Sequence, residues 1–490
     1  MRNAFAPAPI RLQSAEVLDD LLVVVPRNIT NSGDHQTDMQ QRMFDALSEQ
    51  VIFEPPQFSS TVTEVRRLGL ECLHEILQFS AHTLVTGWET IFKILSSACV
   101  PSSNSPSLSP RSRSDQSEAS ARPRLFLPSP LFKPNISLLR IAFQSLTLVC
   151  DSIDTLSPDN LRLCVTTLGQ FGTQPDTNMA LTAAESLMWG VSDSIQSKRK
   201  DSEKEPIYSN LWMFLLSELL RLCADHRTEV RNGSIQTLFR SLQLYGATLS
   251  PEMWTECLDT IIFALFDSLS SSIGKLHAES VASSNVVAPT STPKEWFDTK
   301  SLAFQLVGSV FSEFLVSHII RLASFTDIWQ RFVTHVTQAA LSDDRSVATA
   351  ALRSLESSIS ASRTEEPDLE EISRAARETA WSSLEAVGSA VANRRGTSEA
   401  LPTEVGAALP PFSQASLLAL ADVIRILYVF NGDQWELGRL RQMMFILKGI
   451  MTYTKSPEYR PDVDKLTPVQ VSPYTIGGHK FIYVEFNSQR

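Results

Sequence analysis

Residues 211–254 read LWMFLLSELLRLCADHRTEVRNGSIQTLFRSLQLYGATLSPEMW, and this stretch decides the fold class. It opens with a dense apolar segment, breaks at the polar Asp225–Arg227, and resumes with apolar residues at helical spacing through Val230, Leu238 and Leu242. It turns at Tyr245-Gly246 and begins another helix that carries Trp254 in its first turn. Spacings of three and four place such residues on one helical face, whereas a strand would alternate every second position. The predicted unit is therefore helix, turn, helix, next unit.

Working outward, the second helix of this unit has relatives along the chain. Val65-Gly69-Leu73, Leu138-Ala142-Leu146, Met179-Ala183-Leu187, Val230-Ser234-Leu238 and Val347-Ala351-Leu355 repeat one pattern, with a looser copy around Ala303. A spacing of four keeps each triplet on one face, and the small middle residue admits a neighbouring helix closely. Trp88, Trp254 and Trp329 each open a preceding helix. With insertions removed, the copies recur roughly every 40 residues, close to the period of HEAT and armadillo units. The predicted fold is all-α, a HEAT/armadillo-like α-solenoid with disordered insertions.

The expected organisation is an N-terminal helical segment with polar loops at 1–60 and a first clear HEAT-like unit at 61–99. A disordered Ser/Pro/Arg-rich insertion at 100–135 follows, then HEAT-like units at 136–270, a flexible loop at 271–294, and further units at 295–392. A linker at 393–412, a helical pair at 413–454 and an irregular tail at 455–490 complete the chain. The charged run 194–206 reads as a short loop, Pro26 as the end of a first amphipathic piece, and KFIYVEF near the terminus as strand-like alternation.

Composition narrows the function. The chain has 490 residues, 43% hydrophobic and 20% charged, which suits a packed protein and rules out wholesale disorder. Its 18 glycines make phosphate loops and turn-rich β architectures poor candidates. A net charge of −11 provides no cationic field for nucleic acid. Cys72, Cys99, Cys150, Cys164, Cys223 and Cys257 lie far apart without metal-binding spacing and read as buried thiols in a reducing compartment. No uninterrupted apolar run reaches membrane-spanning length, and no basic-then-apolar leader opens the chain.

The same search finds no GxGxxG, P-loop, HExxH or GxSxG motif. His74 and His82 lie eight apart with no third ligand, and His226, His318 and His335 each stand alone. The acidic run Glu365, Glu366, Asp368, Glu370 and Glu371 complements a helix N-terminus at Pro367, with a docking patch as the other reading. Asp225, Asp343 and Asp344 precede second helices as capping candidates, while Arg66, Arg140 and Arg231 sit at matching helix starts. An Asp–Arg ladder joining successive units is one reading of these residues, and a structural one. Ser105-Pro106, Ser109-Pro110, Ser129-Pro130 and Thr292-Pro293 are candidate phosphorylation sites in loop segments. No catalytic, cofactor-binding or metal residue is assigned, no cofactor is expected, and no partner-binding residue can be singled out.

The order of the segments GWETIFKIL, LLRIAFQSLTLVCDSI, LTAAESLMWGVSDSI, the 211–254 stretch and KEWFDTKSLAFQLVGSVF resembles the C-terminal region of the monensin-sensitivity protein family. That family is similar to the large Arf guanine-nucleotide exchange factors in its helical repeats but lacks their Sec7 module. The resemblance implies a non-catalytic scaffold in traffic between endosome and trans-Golgi, cytoplasmic and peripheral on Golgi and endosome membranes. The partners it implies are a Dopey-family protein, a phospholipid flippase and Arf-like GTPases, with no nucleic acid and with membrane association peripheral and indirect. The chain looks like a C-terminal part or a truncated product, because the upstream regions of the family are not seen. An alternative is a HEAT-repeat nuclear transport receptor or another cargo-binding solenoid. The absence of an FRLPGE-like stretch weighs against nucleotide exchange.

Overall fold

A computed structural model describes residues 5–28, 34–53, 59–99, 135–199, 205–282, 292–342, 344–364, 366–393, 411–431, 435–453 and 456. Every regular element among these is helical, and the chain divides into two compact units, Met1–Asp225 and His226–Arg490. Each is a two-layer stack of helices of the α-solenoid kind, so the fold class expected from the periodicity holds.

The first unit contains α1 (Ala8–Asn28), α2 (Asp34–Val51), α3 (Ser60–Ser80), α4 (Trp88–Ser96), α5 (Ile136–Asp151) and α6 (Pro158–Gly172). It continues with α7 (Thr177–Leu181), α8 (Met188–Arg199) and α9 (Glu205–Leu222). Helices α1, α3 and α5 lie side by side in one layer; α2, α4, α6 and α9 form the other, with α8 paired to α9. Polar caps begin several of these helices: Ser59, Asn135, Ser157 and Asp176 accept hydrogen bonds from first-turn amides of α3, α5, α6 and α7. Each such cap stabilises its helix by about 1 kcal/mol. Gly87 opens α4 at φ 87°, and a Cβ there would fall 2.2 Å from Phe44 Cδ2, so both backbone and packing require glycine.

The second unit contains α10 (Thr228–Tyr245), α11 (Pro251–Glu256), α12 (Phe263–Ala282), α13 (Pro293–Phe314) and α14 (Phe325–Ser342). It continues with α15 (Arg345–Ala361), α16 (Pro367–Asn393), α17 (Gln414–Asn431) and α18 (Leu437–Met451). Here α10, α13, α15 and α17 form one layer; α12, α14, α16 and α18 form the other. Gly308 of α13 shows how closely helices of a layer approach: a Cβ there would lie 2.8 Å from Ser354 Cα of α15.

The repeated triplets are core residues. Val65, Leu73, Ala142, Leu146, Val230, Ser234, Leu238, Val347, Ala351, Leu355 and Ala303 are fully buried, each large member contributing about 1.5–3 kcal/mol by leaving water. The third copy departs from the pattern. Residues 182–187 form a π turn between α7 and α8, and its extra residue rotates Leu187 to a half-buried position while Met188 fills the core. A second π turn, 257–262, joins α11 to α12.

Other boundaries differ from the sequence expectation. Helix α12 continues to Ala282, so 271–282 of the expected loop is helical, with Ile273 buried, and 283–291 lies outside the described residues. Helix α8 takes in 194–199, with buried Ile195 anchoring the charged end, and α1 runs through Pro26 to Asn28. Pro251–Leu276 and Gln414–Asn431 are long and apolar enough to cross a membrane by length and composition. Each packs among the other helices of its own unit, which accounts for that apolarity. The expected insertion, linker, strand-like tail and Ser105, Ser109 and Ser129 fall outside the described residues, save Asn135, Phe412 and neighbouring edge positions.

Candidate functional site

The polar side chains best placed for chemistry gather at the joints between successive helices of a layer. Arg231, in the first turn of α10, is completely buried. Its Nε donates to Thr299 Oγ1 at 3.0 Å, Nη2 to Thr228 Oγ1 at 3.3 Å and Nη1 to the His226 carbonyl at 3.3 Å. The guanidinium carbon lies 3.9 Å from the centre of the Trp296 ring on α13. Thr299 Oγ1 lies 2.8 Å from Asn232 Oδ1, and Thr228 Oγ1 donates to Glu295 Oε2 at 3.0 Å. A cation held over an indole and surrounded by hydroxyls stays charged without water, because its donors are met within the protein.

The next joint also sets an arginine against an aromatic ring. Arg345 opens α15, donates through Nη1 to the Ala340 carbonyl at 2.9 Å, and stacks 4.3 Å from the Phe412 ring beside α17. In the first unit Arg66 Nη2 reaches the Ser97 carbonyl at 2.9 Å, and burial lowers its pKa. Arg140 approaches Asp176 at 3.9 Å across α5 and α7. Of the Asp–Arg ladder, Arg140 meets Asp176 as expected, while Arg231 and Arg345 also reach aromatic rings. Asp344 caps α15 through the Ser346 amide at 2.9 Å. The N-cap position of α10 is Arg227 rather than Asp225, and Asp343 lies outside the described residues.

Ion pairs tie the other layer together. Arg331 meets Asp259 at 2.7 Å, Arg439 meets Glu378, and Arg321 meets Glu366 at 2.8 Å. Glu370 of the acidic run pairs with Arg377 on its own helix, and Glu365 lies outside the described residues. Between α15 and α17, Arg353 bridges Glu356 at 2.7 Å and buried Asp422 at 2.8 Å.

The histidines are dispersed. His74 Nδ1 lies 3.4 Å from Ser145 Oγ, His82 is exposed, and His318 packs on Trp254 and Phe314. His335 stacks on Phe263 and Phe266 with Asp267 3.8 Å away, and burial lowers its pKa. Trp88, Trp254 and Trp329 are buried; the last two donate to the carbonyls of Gly246 and Ala376. The six cysteines form no disulfide; Cys72, Cys164, Cys223 and Cys257 are buried as expected, Cys99 and Cys150 half-buried, and burial pushes Cys99 up to about 12. Among the described residues no group of three or more His, Cys, Asp or Glu side chains is disposed to hold a metal. Thr292 occupies the N-cap position of α13, immediately before Pro293.

Trp296, Thr299, Phe412 and Asp422 take part in these joints without having been singled out from sequence. A legible signal existed for one: Trp296 opens α13 as Trp88, Trp254 and Trp329 open theirs. Phe412 and Asp422 carry none, because their roles depend on which helix lies alongside.

Side chains spent on joints, in layers of paired helices, define a HEAT-like helical array whose free chemistry lies on its surfaces. Residues 198–396 match the family described as the C-terminal region of Mon2 protein, and residues 50–108 match a Mon2/Sec7/BIG1-like family, HDS. Over residues 198–396 the chain is thus similar to the C-terminal region of the Mon2, or monensin-sensitivity, family. It is 28% identical over 347 residues to the Protein MON2 homolog of Drosophila melanogaster, covering 66% of this chain and 18% of that protein. It is 25% identical over 384 residues to the Protein MON2 homolog of Homo sapiens, covering 71% and 20%. The ARF guanine-nucleotide exchange factor GNOM of Arabidopsis thaliana is 26% identical over 206 residues, covering 40% and 13%. The chain thus spans a fifth or less of the length of these relatives.

Proposed function

We propose that this chain acts as a non-catalytic scaffold in membrane traffic between endosome and trans-Golgi, binding protein partners on the exposed surfaces of its helical array. The observation that carries this reading is the match of residues 198–396 to the Mon2 C-terminal region. The engagement of Arg231, Arg345 and Asp422 in packing joints supports it, since such groups are committed to holding helices together. Stacked helix pairs leave long lateral surfaces free for partners. The proposed partners are a Dopey-family protein, a phospholipid flippase and Arf-like GTPases, and membrane association is peripheral and indirect, on Golgi and endosome membranes from the cytoplasmic side.

Proximity labelling in cells tests this directly, comparing the full-length protein with one lacking the segment equivalent to this chain. Loss of labelled Golgi and endosomal traffic proteins on deletion is the expected result; an unchanged set counts against the scaffold role. A fluorescent-nucleotide release assay with an Arf-family GTPase tests the absence of catalysis. The expected outcome is the spontaneous release rate, and stimulation by this chain overturns that part of the proposal.

A further inference from the structure

Helix α1 packs on α3 but leaves part of its apolar surface exposed. Of its larger apolar side chains Leu22 is buried, Leu12, Leu18, Val23 and Val25 are half-buried, and Ile10, Val17, Leu21 and Val24 are at least half exposed. Where α1 meets α2 and α3, one polar pair enters the junction. Gln50 Nε2 of α2 donates to Asp19 Oδ2 of α1 at 3.1 Å and lies 3.5 Å from the Val65 carbonyl of α3. The Cys72 thiol of α3 donates to the Asp19 backbone carbonyl at 3.8 Å.

Two acceptors in this pair are left over. Asp19 Oδ1 and Gln50 Oε1 are both buried, and neither has a hydrogen-bond partner. The amide nitrogen of Gln50 is already directed at Asp19 Oδ2 and the Val65 carbonyl, so it supplies neither of them. A buried unmet acceptor costs about 1–3 kcal/mol in general. An ionised carboxylate only accepts, whereas a protonated carboxyl gains an O–H donor and matches a carboxamide group for group.

We propose that Asp19 and Gln50 form a proton-operated latch, which holds α1 against α2 and α3 when the carboxyl carries a proton and loosens it when the carboxyl ionises. The surrounding charges favour the proton. Asp20 on α1 and Glu71 on α3 both oppose a second negative charge; Glu75 of α3 lies near Cys72 in the same neighbourhood. Arg67 of α3 is occupied by Glu64 and Glu71, and the group that α2 presents is the neutral Gln50. Burial is the largest influence, and with Asp20 and Glu71 it raises the Asp19 carboxyl from 3.8 to about 6 against the opposing hydrogen bonds of Gln50 and Cys72.

Because the docked state binds the proton more tightly than the detached one, the latch is fully effective below about pH 4 and is lost as pH rises through about 6. Hydrogen exchange on the full chain, corrected for the intrinsic pH dependence of exchange, tests this. Protection of residues 8–28 is expected to fall roughly tenfold between pH 5 and 7.5, with α6 and α9 unaffected. Asp19→Asn, which always carries a donor, is expected to abolish that dependence. Asp20→Asn leaves the pair intact and is expected to move the midpoint to lower pH; it decides the matter if Asp19→Asn does not fold. Constant protection in the unaltered chain, an unaltered pH dependence in Asp19→Asn, or an unmoved midpoint in Asp20→Asn would overturn the latch.

Discussion

The joint between α10 and α13 and the junction of α1 with its neighbours both place a charged residue type between helices, with opposite results. Arg231 is completely buried, yet hydroxyls, a carbonyl and the Trp296 ring receive its guanidinium. Asp19 is less deeply placed and faces Gln50 with one acceptor on each side unmet. The contrast teaches that depth alone does not decide whether a polar joint stabilises. What decides is whether donors and acceptors balance at the protonation state the group adopts.

The largest expected effect comes from removing the balanced joint. Arg231→Ala leaves the Thr299 and Thr228 hydroxyls and the His226 carbonyl without the guanidinium donors and a void beneath Trp296, and is expected to cost about 3 kcal/mol or more, read from the denaturant midpoint. A loss below about 1 kcal/mol would break the comparison, since a surface arginine behaves that way. Next comes close approach between helices of a layer. Gly308→Val drives a side chain into the Ser354 backbone and is expected to cost about 1–3 kcal/mol. Gly190→Ala on α8, with nothing within 4 Å of the new Cβ, should instead gain about 0.5–1 kcal/mol.

The two regions should also answer pH in opposite directions. His335 in the second unit has a lowered pKa from burial, so the unfolded chain binds its proton more readily. Stability from that group is present above about pH 6.5 and is lost as pH falls below it. Docking of α1 strengthens over the same fall, because Asp19 is shifted upward. Hydrogen exchange followed separately on α14 and α1 between pH 5 and 7.5 is expected to show the two trends crossing; parallel trends would remove the distinction. The smallest effect belongs to the exposed Arg331–Asp259 pair, where Arg331→Ala is expected to cost about 0–1 kcal/mol, less at high salt.

Much of this architecture is legible in the sequence because it rests on periodicity. Triplets such as Val230-Ser234-Leu238 mark a buried face without knowledge of the partner helix, and the structure places them there. The copy Met179-Ala183-Leu187 shows the limit: a single extra residue in a π turn rotates Leu187 away, and composition carries no mark of it. The joints were half legible. Arg231 stood out at the start of its helix, but its receivers, Trp296 and Thr299, lie more than 60 residues on and are defined by stacking order. Asp19 and Gln50 gave no signal at all, since a carboxyl in DDLL and an amide in SEQV are ordinary surface residues until three helices meet.

The account centres on chemically capable side chains being spent in coupling neighbouring helices, and a double-mutant cycle between Arg231 and Trp296 tests that most directly. Arg231→Met, Trp296→Leu and the double variant would be compared by denaturant unfolding. A coupling energy of about 1–2 kcal/mol is predicted for a desolvated cation over an indole. Additive losses, with no coupling beyond about 0.3–0.5 kcal/mol, would contradict it.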